Sequence, residues 1–169
     1  MATNTAAIMV GRLLEVRADA GYRTVADVDL LFDAIDAEIA RLPPSQLIVT
    51  VADWRQCPVM SSAASERVLQ RIVALNGRTE RSSALASLGS PTAVLQFMRL
   101  IRESGLPDRK MFYDAEELIA FLSPALSAME TERLRDFLAA GARAGVSFTR
   151  VIGSKPEIAS PRARAGGRG

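Results

Sequence analysis

Two adjacent serines, Ser61 and Ser62, stand where a strand-like run, Leu47-Ile48-Val49-Thr50-Val51-Ala52-Asp53-Trp54, gives way to a helical one. A helix start gathers backbone N–H groups without partners and partial positive charge. A serine there either caps the helix or, once phosphorylated, sets about 1.5–2 negative charges where they are favoured. Just upstream, Asp53 ends the strand, at the edge of an open α/β sheet where ligands collect. Its carboxylate could take part in binding or cap the Trp54–Pro58 loop. Trp54 and Arg55 are residue types that dominate interface hot spots, although a Trp can also close a core strand. Cys57 is either a thiol activated by Arg55, two residues away, or an inert buried one.

Little else in the chain offers chemistry. The 169 residues contain no histidine and one cysteine. Ser–His–Asp and Cys–His catalysis are therefore excluded, as are zinc sites built on His or several Cys. Neither a Gly-x-x-x-x-Gly-Lys phosphate loop nor a Gly-x-Gly-x-x-Gly fingerprint is present. No carboxylates are convincingly paired. The expectation is a non-enzymatic protein with no catalytic residues, no metal and no cofactor.

Composition points the same way. Hydrophobic residues make up 49% and charged residues 24%, as in an ordinary globular domain. No apolar run is long enough to span a membrane. The N-terminus lacks the pattern of a secretory signal, and the single cysteine excludes an internal disulfide; together these suggest a cytoplasmic protein. The net charge of +2 is misleading. From Gly153 onward, Lys155, Arg162, Arg164 and Arg168 face Glu157 alone, so the preceding residues are slightly acidic. A nucleic-acid partner is not expected, because such a face would be basic on the domain itself.

The elements that must position these residues follow from periodicity. Ile8 to Val16 suits a half-buried strand, with Leu14 and Val16 alternating with Glu15 and Arg17 and a bend or hairpin at Gly11. Val28, Leu31, Phe32, Ile35, Ile39 and Leu42 form one helical stripe, opened by Thr24 with Asp27 three residues on and ended by Pro43-Pro44. Leu47 to Val51 reads as a central strand. The helix after it carries Val68, Leu69, Ile72 and Val73. A weaker strand over Ser83 to Leu88 precedes a helix opened by Ser90-Pro91, with Val94, Leu95, Met98 and Ile101 as its expected buried face. Lys110 to Tyr113 is a short strand, Asp114 to Leu122 a helix with an acidic start, and Glu130 to Ala140 a final helix. Such alternation means a layered α/β domain with right-handed crossovers. The expected organisation is a domain over 1–123, a helical extension over 124–152 and a disordered basic tail over 153–169.

From about Leu14 to Leu122 this order resembles the STAS domain, the anti-sigma factor antagonist family. One part of the resemblance is Ser90-Pro91-Thr92-Ala93-Val94-Leu95-Gln96-Phe97-Met98, leading to Ser104-Gly105-Leu106, Phe112 and the helix from Asp114. The other is Val59-Met60-Ser61-Ser62-Ala63-Ala64, although Met60 stands where the family usually has Asp and Ala63 where it has Gly. The resemblance implies a mixed central sheet with flanking helices, here with an extra C-terminal helix. It maps the phosphoacceptor of such antagonists to Ser62, with Ser61 as the adjacent alternative.

The function expected is regulation by protein–protein interaction, through Asp53, Trp54, Arg55, Met60 and Glu66 along the 53–66 edge. By resemblance the partner would be a regulatory kinase, an anti-sigma factor or another signalling component. Two alternatives come from other classes. One is a module binding a small lipid or nucleotide between helix and sheet. The other is a scaffold subunit that forms homo-oligomers through Leu134, Phe137 and Leu138, exposed on the last helix.

Overall fold

In the computed structural model, which describes residues 2–152, the chain forms five strands and five α-helices. The hairpin β1 (Asn4–Ile8) and β2 (Leu13–Ala18) is followed by α1 (Val25–Ala40), β3 (Ile48–Asp53), α2 (Ser62–Ala74) and β4 (Thr79–Leu85). Then come α3 (Pro91–Glu103), β5 (Arg109–Phe112), α4 (Ala115–Leu122) and α5 (Ala128–Ile152). The strands lie side by side in sequence order. β1 pairs antiparallel with β2, and every other pairing is parallel. The expected fold class, an α/β arrangement with a mixed central sheet, flanking helices and an added C-terminal helix, is the one observed. The segment expected as a basic tail, 153–169, lies outside the described residues.

Each parallel crossover advances one strand in the same direction. With right-handed crossovers, α1, α2 and α3 must then share one face. They pack there against Leu14, Val16, Ile48 and Trp54. Successive strand residues point to opposite faces, so Leu13, Val49, Val51 and Leu85 form a second apolar surface, covered by α4 and α5. The sheet is buried on both sides.

Here the structure corrects one expectation. Leu134, Phe137 and Leu138 are not exposed for self-association; they are buried against that second surface. The reason is hydrophobic. Without α5, the side of β2 and β3 facing away from α1–α3 would remain wet. Polar contacts fix the docking: Arg133 makes a bidentate pair with Glu15 at 2.6 Å for each bond, and Arg17 donates to the Phe137 carbonyl at 2.8 Å while its guanidinium lies over the Phe137 ring. Glu15, only 4% exposed, is thus a buried strand residue rather than a solvent-facing one. Among the described residues, no helix is long and apolar enough to cross a membrane.

Local signals account for most element ends. Thr24 and Asp27 form the reciprocal capping box of α1, whose buried residues are Val28, Leu31, Phe32, Ile35 and Ile39. The first strand region is a hairpin turning at Gly11, whose φ of +56° favours glycine. β4 begins at Thr79 rather than Ser83 because buried hydroxyls find partners: Thr79 Oγ1 donates to the Leu75 carbonyl at 2.8 Å, and Thr50 Oγ1 to Ser82 Oγ at 2.7 Å.

The face of α3 is also corrected. Ala93, Phe97 and Leu100 are buried, whereas Leu95 and Met98 point outward, 68% and 50% exposed. Two apolar stripes compete on this helix. The one carrying Phe97 is buried because its ring packs on Trp54, with centroids 4.7 Å apart.

Candidate functional site

The segment between β3 and α2 crosses the carboxyl-terminal edge of the sheet, and neighbouring elements hold it on several sides. The Trp54 amide donates to the Leu85 carbonyl at 2.8 Å, continuing the β3–β4 pairing, and the Cys57 amide closes a turn onto the Trp54 carbonyl at 3.0 Å. Gln96 of α3 clamps Met60 from both directions: its Oε1 accepts from the Met60 amide at 2.8 Å, and its Nε2 donates to the Met60 carbonyl at 3.0 Å. Arg99, one turn further along α3, pairs with Glu66 on α2. The two helices therefore present one continuous outer face.

Ser61 and Ser62 differ in role. Ser61 is the N-cap of α2, its Oγ accepting from the Ala64 amide at 3.2 Å. Ser62 is the first residue of the helix and is exposed. Modification of Ser61 would compete with the cap bond, whereas Ser62 offers its hydroxyl without that loss. Past the end of β3 lies a cleft of ≈ 230 Å³, bordered by Trp54, Cys57, Pro58, Ser87 and Ser90.

The other residues expected at a partner interface are mostly interior. Asp53, Trp54 and Met60 are buried. Asp53 takes Arg55 in a bidentate pair, Nε to Oδ1 at 2.9 Å and Nη2 to Oδ2 at 2.7 Å, and Arg55 Nη2 also donates to the Leu138 carbonyl at 2.7 Å. That pair ties the end of β3 to α5 and faces away from the serines' side of the sheet. Trp54 closes the core of the α1–α3 face. Glu66 and the two serines are the residues of the set with side chains at the surface. Cys57 is buried, and burial pushes its thiol up to about 12, with the charge of Asp19 adding to the effect. Arg55 does not activate it, since Asp53 engages its guanidinium.

Sequence reasoning missed Gln96, Arg99 and the outward Leu95 and Met98. The signal was present in the second apolar stripe of α3, which was assigned to the core. Val59, just before the serines, is exposed as well. Among the described residues, no cluster of His, Cys, Asp and Glu could hold a metal ion. The arrangement leaves the Ser62 hydroxyl and the Leu95 and Met98 side chains at the surface. Comparison of the chain with protein-family models, curated proteins and solved structures finds no match.

Proposed function

We propose that this chain is a non-enzymatic regulatory module that works by reversible protein–protein docking on the outer face of α2 and α3. The observation that carries the reading is the exposure of two large apolar side chains on α3, Leu95 and Met98, on a helix that Gln96 and Arg99 tie to the serine-bearing start of α2. Large apolar side chains grouped on a surface mark interaction sites more often than scattered ones do. A phosphate on Ser62 would place charge beside that surface and alter its affinity for a partner. The Gln96 clamp and the Arg99–Glu66 pair keep the serines and the apolar stripe in fixed relation.

By its resemblance to STAS domains, the partner is a regulatory kinase, an anti-sigma factor or another signalling component in the cytoplasm. The Ser90-Pro91 helix start, the turn at Gly105 with φ +72°, and Phe112 on β5 support that resemblance. The test is affinity capture from native lysate with wild type, Ser62→Asp and a Leu95→Asp/Met98→Asp double variant, read by mass spectrometry. A protein kept by wild type and lost from both variants supports the reading. Identical protein sets for all three forms would refute it and leave Ser62 an ordinary first-turn residue.

A further inference from the structure

The helix-facing side of the sheet is unevenly filled. One row crosses it through Leu14, Thr50, Ser82 and Arg109, which are neighbours in strand register. The next row holds two alanines, Ala52 and Ala84. Small side chains here leave room that larger aliphatic ones would fill. The result is a cavity of ≈ 60 Å³ with apolar walls that include Phe32, Ile35, Ile72 and Ile101, and with Thr50, Ser82 and Arg109 also lining it.

Arg109 has an unusual environment. The residue is 7% exposed and forms no ion pair among the described residues; its bonds go to Ser82 Oγ at 3.3 Å, Asn76 Oδ1 at 2.9 Å and the Ile72 carbonyl at 3.5 Å. All three acceptors are neutral. A guanidinium has five N–H donors, so two remain beyond these bonds. Burial pulls its pKa down to about 10, and no acidic group offsets that; the side chain is still charged at neutral pH. Buried charges are ordinarily paired, because an uncompensated one is costly.

Arg109 and Ile101 border a second space as well, an outer groove of ≈ 400 Å³ between α3 and β5. Arg102 and Lys110 line that groove and no acidic residue does. Lys110 and Arg102, the latter also paired with Glu103, make its rim basic.

We propose that the inner cavity binds a small apolar monocarboxylate, its carboxylate on the Arg109 guanidinium and its alkyl chain against Phe32, Ile35 and Ile72. Size narrows the class. One water needs about 10–15 Å³ of such space, so this cavity admits about four to six non-hydrogen atoms, the range from acetate to butyrate. Water alone satisfies the site poorly, since each buried water needs two to four polar partners and most of the wall is apolar. The inner cavity shares no lining residue with Leu95, Met98 and Ser62, although Met98 also borders the outer groove.

The test is titration of the ¹⁵N-labelled full chain with butyrate, n-butanol and inorganic phosphate, followed by amide chemical shifts. We expect saturable shifts at Ser82, Ala84 and Arg109. Butyrate should bind about tenfold to a hundredfold more tightly than butanol, as a charge-assisted hydrogen bond requires, and phosphate should not saturate these shifts. Ala84→Leu, which fills the space, should abolish butyrate binding while the spectrum stays dispersed. Arg109→Met should erase the preference for butyrate over butanol. If either variant fails to fold, the ligand series on wild type decides. Equal affinities for butyrate and butanol, saturation by phosphate in place of butyrate, unchanged binding in folded Ala84→Leu, or no saturable shift at all (a cavity holding water only) would each overturn the proposal.

Discussion

Replacing Gly141 with alanine should destabilise the protein, although the same exchange in an ordinary helix interior stabilises by about 1 kcal/mol. The reversal comes from what lies against α5 at this point. A Cβ on Gly141 would overlap Asp53 Oδ2 and Arg55 Nη2 and would sit 3.3 Å from Asp53 Cγ. Neither side chain can swing aside freely: the Asp53 carboxylate is held by two bonds from Arg55, and Arg55 is also tied to the Leu138 carbonyl. Both are largely withdrawn from solvent, the Asp53 side chain 3% and the Arg55 side chain 19% exposed. Overpacking costs about 1–3 kcal/mol, and distorting a charge-assisted bond adds about 1.5–3 kcal/mol. Set against the helix gain, the net loss should be about 1.5–5 kcal/mol. In urea denaturation, at a slope of about 2 kcal/mol per molar, the midpoint should fall by about 1–2.5 M. Gly77→Ala is the control, because nothing lies within 4 Å of a Cβ there. In an Asp53→Ala/Arg55→Ala background, Gly141→Ala should become neutral or stabilising. If Gly141→Ala is as stable as wild type, α5 does not seat on the end of β3 and the reasoning fails.

Leu134→Ala should cost about 2–5 kcal/mol by the same denaturation assay, since Leu134 is wholly buried in the second core; a loss under 1 kcal/mol would mean that α5 docks loosely. Ser61→Ala should cost about 1 kcal/mol through the lost cap, whereas Ser62→Ala should stay within about 0.5 kcal/mol; equal effects would contradict their distinct positions. Cys57 should resist alkylation in the native protein at pH 8 and react once unfolded in urea. Its raised pKa also couples to stability. This contribution is fully present below the ordinary thiol value of 9.0 and is lost as pH rises toward about 12. A Cys57→Ser variant should therefore show a shallower fall in stability over that alkaline range; an identical fall would show that the thiol is not the group responsible.

Elements whose order is written in local periodicity were legible in the sequence. The α1 stripe is the clearest case: Thr24 starts it, Pro43 and Pro44 follow it, and each of Val28, Leu31, Phe32, Ile35 and Ile39 is buried. What depended on distant partners was not legible. Glu15 alternates with Leu14 and Val16 and so reads as a wet-face residue, yet the base that neutralises it, Arg133, lies 118 residues away. No window around β2 can encode that. On α3, two stripes of similar hydrophobicity differ in outcome only because Trp54, at the end of another strand, stacks on Phe97. The start of α2 was recognisable from its serines, but their surroundings were not: Gln96 and Arg99 arrive from a helix more than thirty residues later. Nothing near Arg109 in sequence announces a cavity or the burial of its side chain.

The placement of all three crossover helices on one face has a consequence for synthesis. Residues up to Phe112 can complete the sheet and one of its cores, but the apolar surface of Leu13, Val49, Val51 and Leu85 stays bare until α4 and α5 follow. Leu138 is made roughly two dozen residues after β5 ends, about one to five seconds at ordinary elongation rates. During that interval a nascent chain on the ribosome carries a sheet with one greasy side, and a chaperone or a neighbouring chain competes with the molecule's own C-terminal helices to cover it.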